Sequence, residues 1–233
     1  MRGATLHVHD ERSGQPVVVK LVAISVGEPR EARWRGRTTT TSIFKSPVTH
    51  RVRVARDNIE GDRQSDLSVH GGVDKAVYAY PAEHYAFWRG ELPGEALPWG
   101  SFGENFTTEG LLEDDVAIGD RFRIGSAELV VTQPRMPCYK LAIRFGRTDV
   151  VKRFLESHRS GFYLAVAQEG ESGAGDAIER VSRDERGLSV RDVVALYAAD
   201  AANASLLERA SEHPVLPAAW REHFRRRRWK PDG

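Results

Sequence analysis

This chain of 233 residues contains one cysteine and no long apolar run, and neither sign of charge prevails. The lone Cys138 excludes an intramolecular disulfide and any zinc site built from several thiolates. It also leaves no thiolate set for an iron–sulfur cluster. A lack of disulfides fits a reducing compartment. No apolar stretch approaches the roughly 20 residues of a membrane helix. Residues 1–15 carry charges and two histidines, His7 and His9, but no apolar centre, so they do not read as a signal peptide. We therefore expect a cytoplasmic protein with no membrane partner and with residues 1–16 as a flexible tail. The 34 Lys and Arg nearly cancel the 33 Asp and Glu, for a net charge of +1. That balance argues against gripping nucleic acid over the whole surface, though a local basic patch is compatible with it.

The chain does have enough apolar residues, 40%, to pack a core. Its length allows one large domain, or one domain with a small appendage. Val17–Val26 is valine-rich and bounded by Gln15-Pro16 and Gly27, as a strand is. Val48–Ala55 alternates in its second half, and Ala76–Tyr80 is a further short strand. Pro81 suits the first turn of a helix that spaces His84, Phe87 and Trp88 helically. Val116–Ile124 and Ala127–Thr132, joined by Gly125-Ser126, read as strand, turn and strand. Phe162–Gln168 and Ala177–Val181 complete the set. Short strands with Gly/Asp turns predict a mainly β fold with some α: a β-barrel or strongly bent sheet with a few inserted helices. Past the polar stretch Arg183–Gly187 the pattern turns helical, with Ser189, Asn203 and Pro217 as helix starts. We place a barrel domain at residues 17–183 and a three-helix unit at 187–230. Arg225–Arg228 reads either as a solvated helix end or as an anion or nucleic-acid contact.

Four segments have the residue types for chemistry. Pro134-Arg-Met-Pro-Cys138-Tyr-Lys140 puts the cysteine on a loop stiffened by two prolines. Arg135 and Lys140 beside it favour a thiolate, which serves as nucleophile, persulfide carrier or soft metal ligand. An inert buried cysteine is the alternative. His70-Gly-Gly-Val-Asp74-Lys75 pairs glycines, which can turn N–H groups toward an anion, with a lysine suited to phosphate. It lacks Walker spacing, and an ordinary glycine turn would look the same. Thr38–Pro47, preceded by Arg35 and Arg37, combines hydroxyls and cations suited to phosphate oxygens, or is a polar loop entering a strand. Gly100–Thr107 alternates small and aromatic residues, which suits a flat ring, with Glu104 and Asn105 able to orient a heterocycle; a bulged strand edge is the alternative. Gly61–Asp66 is a similar case, a turn with a charged pair, or a purely structural turn.

The order of these segments, closing on Gln133-Pro-Arg135-Met-Pro-Cys138-Tyr-Lys-Leu141, resembles the MOSC family, named for the C-terminal domain of molybdenum-cofactor sulfurase, and within it the YiiM-type branch. The resemblance covers residues 17 to 183, and the helical remainder resembles the three-helix domain of that branch. It implies a β-barrel-like domain with inserted helices that binds the molybdenum cofactor (molybdopterin), with Cys138 as the protein ligand to the metal. Pyridoxal phosphate is not expected. The implied activity is reduction of small N-hydroxylated compounds, such as hydroxylaminopurine bases and amidoximes, to the amine or amidine and water. His70 and Asp74 are candidates to assist with protons. Candidates for the cofactor's phosphate are Arg37, Thr41, Ser42, Lys45 and Arg135, with His70 and Lys75 from the glycine segment. Asn105 and the Phe102-Gly103 backbone are candidates for the pterin edges. Electrons are expected from a separate reductase, since the chain has no second redox motif; nucleic acid is not expected as a partner. The alternative is a sulfur carrier that holds a persulfide on Cys138.

Overall fold

Strand-forming residues alternate most cleanly where one face meets the core. The structure, a computed structural model, describes residues 7–9, 16–65, 71–198 and 203–228. The first part holds β1 (His7–His9), β2 (Pro16–Val18), β3 (Lys20–Val26), β4 (Arg30–Trp34), β5 (Arg37–Thr41), β6 (Ser46–Val48), β7 (Val52–Ala55) and β8 (Asn58–Ile59). Then come β9 (Val77–Pro81), α1 (His84–Glu91), β10 (Phe106–Glu109), β11 (Arg121–Ile124) and β12 (Ala127–Pro134). α2 (Tyr139–Phe145), α3 (Val150–Ser157), β13 (Phe162–Gln168), β14 (Gly170–Ser172) and β15 (Ile178–Ser182) follow. Helices α4 (Val190–Ala198), α5 (Ala204–Glu212) and α6 (Ala218–Arg228) end the chain.

The main sheet has eight strands in the order β15-β11-β12-β13-β9-β10-β3-β6. Only β9 and β10 pair in parallel; the other neighbours are antiparallel. The sheet curls until β15 meets the start of β3. Ile178 N–H donates to Val19 O at 2.9 Å, Leu21 N–H to Asp176 O at 2.9 Å, and Lys20 bridges Ala177. Closure removes the exposed edges that would otherwise invite pairing with another chain. The fold is thus α+β, a closed barrel with helices inserted between strands.

Two apolar cores result. The barrel interior gathers Leu21, Ile24, Phe106, Phe122, Leu129 and Phe162, and it continues into Val193, Leu207 and Phe224 of the C-terminal helices. Fully burying one such side chain contributes about 1.5–3 kcal/mol. The second core is aromatic: Tyr80, Tyr85, Trp88, Phe102, Phe145 and Phe154 interlock outside the barrel beneath α1, α2 and α3. Trp88 and Phe154 stack at 5.7 Å, and Trp88 Nε1–H donates to Tyr80 Oη at 2.6 Å.

Several expectations need correction. Val48–Ala55 is not one strand but the end of β6 and all of β7, which lie in different sheets. Pro81 ends β9, its missing N–H falling where the strand leaves the sheet, and α1 starts only at His84. Within Val116–Ile124 only Arg121–Ile124 is strand; Ala117 makes a lone bridge to Ser189. The cap assignments hold. Asn203 Oδ1 accepts from the N–H groups of Ser205 and Leu206. Ser189 and Asp192 hydrogen-bond reciprocally at the start of α4. The basic run of α6 is engaged within the helical unit: Arg226 pairs with Glu222 at 3.0 Å and Arg228 with Glu208 at 2.9 Å, while Arg227 donates to the Leu196 carbonyl.

Candidate functional site

The barrel strands converge on one open cleft of about 620 Å³. Strand register explains its floor: Tyr163 of β13 lies opposite both Tyr78 of β9 and Gln133 of β12. The Tyr78 and Tyr163 rings sit 5.3 Å apart, and Tyr78 Oη–H donates to Ser160 O at 2.9 Å. Where β12 ends, the chain runs through Arg135 to Cys138, which sits just before the first turn of α2 in an extended conformation. Cys138 is partly exposed and lines the cleft, with Arg135 and Lys140 on either side of it in sequence.

Four of the lining residues are cations: Lys45, Lys75, Arg135 and Lys140. One, Asp62, is a carboxylate. Lys45 and Asp62 form an enclosed pair at 2.5 Å, and Asp62 also accepts from Gly27 N–H at 2.8 Å. Burial pulls the Lys45 pKa down, and the facing Asp62 opposes that pull. Burial also lowers the pKa of half-buried Lys75. Lys140 donates to Ser65 Oγ at 3.3 Å.

Arg135 is 6% exposed, and its guanidinium lies 5.0 Å from the Phe154 ring centre and 5.5 Å from that of Tyr78. Burial works against its charge, yet Tyr78, Tyr163 and Cys138 outweigh it and the net shift is upward, so Arg135 stays a cation. Its Nη1 is buried with no hydrogen-bond partner among the described residues, and so is Ser42 Oγ. A buried charged donor left unsatisfied is costly unless something else satisfies it. Two such orphaned groups in one cation-lined cleft fit an anionic ligand.

Most of the residues expected from the sequence meet here. Thr41, Ser42, Lys45, Lys75, Phe102, Gly103, Asn105, Arg135 and Cys138 all line the cleft. Arg37 does not. It is exposed at the far end of β5, four residues before Thr41 or about 13 Å along the strand. Asp74 is exposed on the short 3-10 turn Val73–Lys75 and offers Thr132 only its carbonyl, at 2.6 Å. His70 lies outside the described residues. The paired glycines do turn the chain, Gly71 at φ +144° and Gly72 at +86°.

The Gly100–Thr107 loop differs in detail from expectation. Glu104 is fully buried and faces inward, where it accepts from Tyr85 Oη–H, from Gly100 N–H at 2.8 Å, from Phe102 N–H at 3.1 Å and from Thr107 Oγ1–H at 3.1 Å. Burial raises its pKa against those hydrogen bonds. It knots the loop. Asn105 lines the cleft, but its Oδ1 accepts from Tyr78 N–H at 3.1 Å and its Nδ2 donates to Ser25 O at 3.3 Å. The Phe102 and Gly103 N–H groups are likewise engaged, with Glu104 and with Gly100 O. This loop supplies shape to the cleft. Sequence reasoning gave no site role to Asp62, Gln64, Ser65, Tyr78 and Tyr163, all of which line it. The available signal was the Gly61–Asp66 turn, whose acid faces Lys45 across the cleft wall.

Comparison with known proteins gives this geometry a family. Residues 66–179 match the MOSC domain, and residues 188–229 match the YiiM-like, 3-alpha helix domain. The chain is 40% identical over 208 residues to the uncharacterized protein YflK of Bacillus subtilis, covering 89% of this chain and 94% of that one. It superposes on the crystal structure of YiiM from Geobacillus stearothermophilus with a TM-score of 0.76 at 37% identity, covering 90% of this chain and 99% of that one. It is also 32% identical over 183 residues to a protein named "Reductase" from Gibberella moniliformis; the match takes in 77% of this chain but only 32% of that longer one. The chain belongs to the MOSC-domain family, in the YiiM-like branch whose barrel is followed by a three-helix domain.

Proposed function

We propose that the cleft holds a molybdenum cofactor of the molybdopterin type and that the protein reduces N-hydroxylated compounds, including hydroxylaminopurine bases and amidoximes. The observation that carries this reading is the meeting of one thiol, Cys138, with the buried cation Arg135, whose Nη1 has no partner among the described residues. The donor set fits the group: a soft sulfur suits the metal, while cations and hydroxyls suit its phosphate. Cys138 would ligate the metal. Arg135, Lys140, Thr41 and Ser42 would hold the phosphate-bearing end, with Lys45 tethered by Asp62. When bound, the cofactor supplies two-electron oxygen-transfer chemistry that no side chain offers.

The protein's own residues bind, orient and deliver protons. The reaction balances as R–NHOH + 2 e⁻ + 2 H⁺ → R–NH₂ + H₂O. Tyr78, Phe102 and Tyr163 line the cleft with aromatic surface. Lys75 is the lining group best suited to hand over a proton, because burial makes its ammonium a stronger acid. The fungal relative's name, and its length beyond the shared region, support redox work shared with a second module.

The test is turnover. Holoenzyme with chemically reduced methyl viologen and hydroxylaminopurine or benzamidoxime should give one amine or amidine per two viologen radicals oxidised. No product, with cofactor demonstrably bound, refutes the reading.

A further inference from the structure

The β4–β5 hairpin stands out from the rest of the charged surface. Elsewhere many arginines are paired: Arg51 with Asp176, Arg53 with Glu169, Arg123 with Glu128, Arg153 with Asp149 and Glu91, and the α6 run with Glu208, Glu212 and Glu222. The hairpin instead carries Arg30, Arg33, Arg35 and Arg37, all exposed, against the single acid Glu31. None of the four is ion-paired to a carboxylate among the described residues; Arg30 lies over the Phe44 ring at 3.4 Å. The two-residue turn Arg35-Gly36, both at positive φ, projects these charges outward.

The hairpin is also part of the cleft mouth. Its β5 strand ends at Thr41, which lines the cleft, and Thr39 Oγ1 hydrogen-bonds Tyr139 Oη at 3.3 Å. Tyr139 follows Cys138 directly and is 51% exposed. On the glycine turn, Val73 is 49% exposed between the lining residues Gly71 and Lys75. Exposed Tyr139 and Val73 at the cleft mouth, with the arginines of the hairpin tip about 13 Å farther out along β5, suit a transient protein interface.

We infer that the β4–β5 hairpin, with Tyr139 at its foot, is the docking surface for an acidic electron-carrier protein. The inference rests on the redox reading above. Each turnover needs two electrons and two protons; the carrier is oxidised by two electrons in total and the protons come from water. The chain has one cysteine and so cannot build an iron–sulfur relay of its own. Unpaired arginines steer an acidic partner to the cleft through long-range attraction that salt screens. A protein fits better than nucleic acid: the patch is confined to one hairpin of a chain whose net charge is +1, too short a track to follow many phosphates.

The experiment compares wild-type holoenzyme with Arg33→Glu/Arg35→Glu, two surface positions outside the cleft. Binding of an acidic flavodoxin and an acidic [2Fe–2S] ferredoxin is measured by surface plasmon resonance at low and high ionic strength, and turnover is measured with reduced methyl viologen. The inference expects salt-sensitive binding of at least one carrier, weakened about tenfold or more in the variant, with viologen-driven turnover unchanged. Viologen-driven turnover in the wild type with neither carrier bound, or bound equally by the variant, overturns the docking surface and leaves the activity standing. Binding of a single-stranded oligonucleotide that the variant loses, with both carriers ignored, also overturns it. Absence of viologen-driven turnover in wild-type holoenzyme overturns the activity, and the docking surface with it.

Discussion

Lys45 Nζ lies 2.5 Å from Asp62 Oδ1 in the wall of the cleft, with the two side chains 8% and 2% exposed. Seventeen residues apart, they join the segment after β5 to the turn after β8. Removing one partner of a buried pair leaves a charge without compensation. Asp62→Ala should therefore cost about 3–5 kcal/mol in chemical denaturation, whereas the apolar pair Lys45→Met/Asp62→Leu should cost far less. Equal losses in the two variants would show that the pair is not acting as a buried ion pair.

Arg135 carries the second prediction. Its buried cation and free Nη1 are assigned to the ligand, and a hydrogen bond to a charged group contributes about 1.5–3 kcal/mol. Arg135→Met should therefore retain cofactor about 10- to 100-fold more weakly, read as fluorescent oxidised pterin per chain after dialysis. Unchanged pterin content would remove Arg135 from the binding set.

Proton supply gives a pH prediction. Lys75 has its pKa lowered from 10.5 by burial, so it loses its proton at a lower pH than a solvated lysine. Viologen-driven turnover should fall as pH rises through that lowered value. Lys75→Arg should lower turnover across the pH range and leave no such falling limb, because a guanidinium holds its proton too tightly to hand it over. An alkaline limb identical in both proteins would assign the proton to another group.

The helical unit braces the site strand. Trp220 Nε1–H donates to Gln133 Oε1 at 2.6 Å, two residues before Arg135, while Gln133 Nε2 is buried without a partner among the described residues. Trp220→Phe should lower stability by about 1–3 kcal/mol by leaving that carbonyl oxygen unsatisfied. The check is the denaturation midpoint, followed with pterin content measured well below it. An unchanged midpoint would make the contact incidental.

The sequence spoke most clearly where one physical rule dominates. Phe162–Gln168 alternates across a barrel wall and was readable to the residue, and Asn203 capped its helix as its side chain allows. The order of Lys45, Lys75, Phe102, Arg135 and Cys138 pointed to one site, and barrel closure brings all five to it. Other features depend on three-dimensional partners. Arg37 belongs by composition to the threonine-rich segment, but the strand carries it away from the cleft. α2 follows Pro137 so closely that its segment read as a stiff loop, and α3 is a helix of only eight residues. Glu104 and Asn105 have the residue types of a ligand site, yet their hydrogen bonds tie the loop and strands together, which only the folded neighbours Tyr85, Tyr78 and Ser25 reveal. Asp62 reads in the sequence as a turn residue because its partner Lys45 comes from another part of the fold.

On the reading proposed here, Cys138 holds a metal cofactor in this cleft. The most direct test is the molybdenum and pterin content of protein from molybdate-replete cells, wild type beside Cys138→Ser. Wild type should carry close to one molybdenum and one pterin per chain, and the variant should lose most of the metal. Neither metal nor pterin in the wild type, with a persulfide on Cys138 instead, would contradict that reading and identify a sulfur carrier.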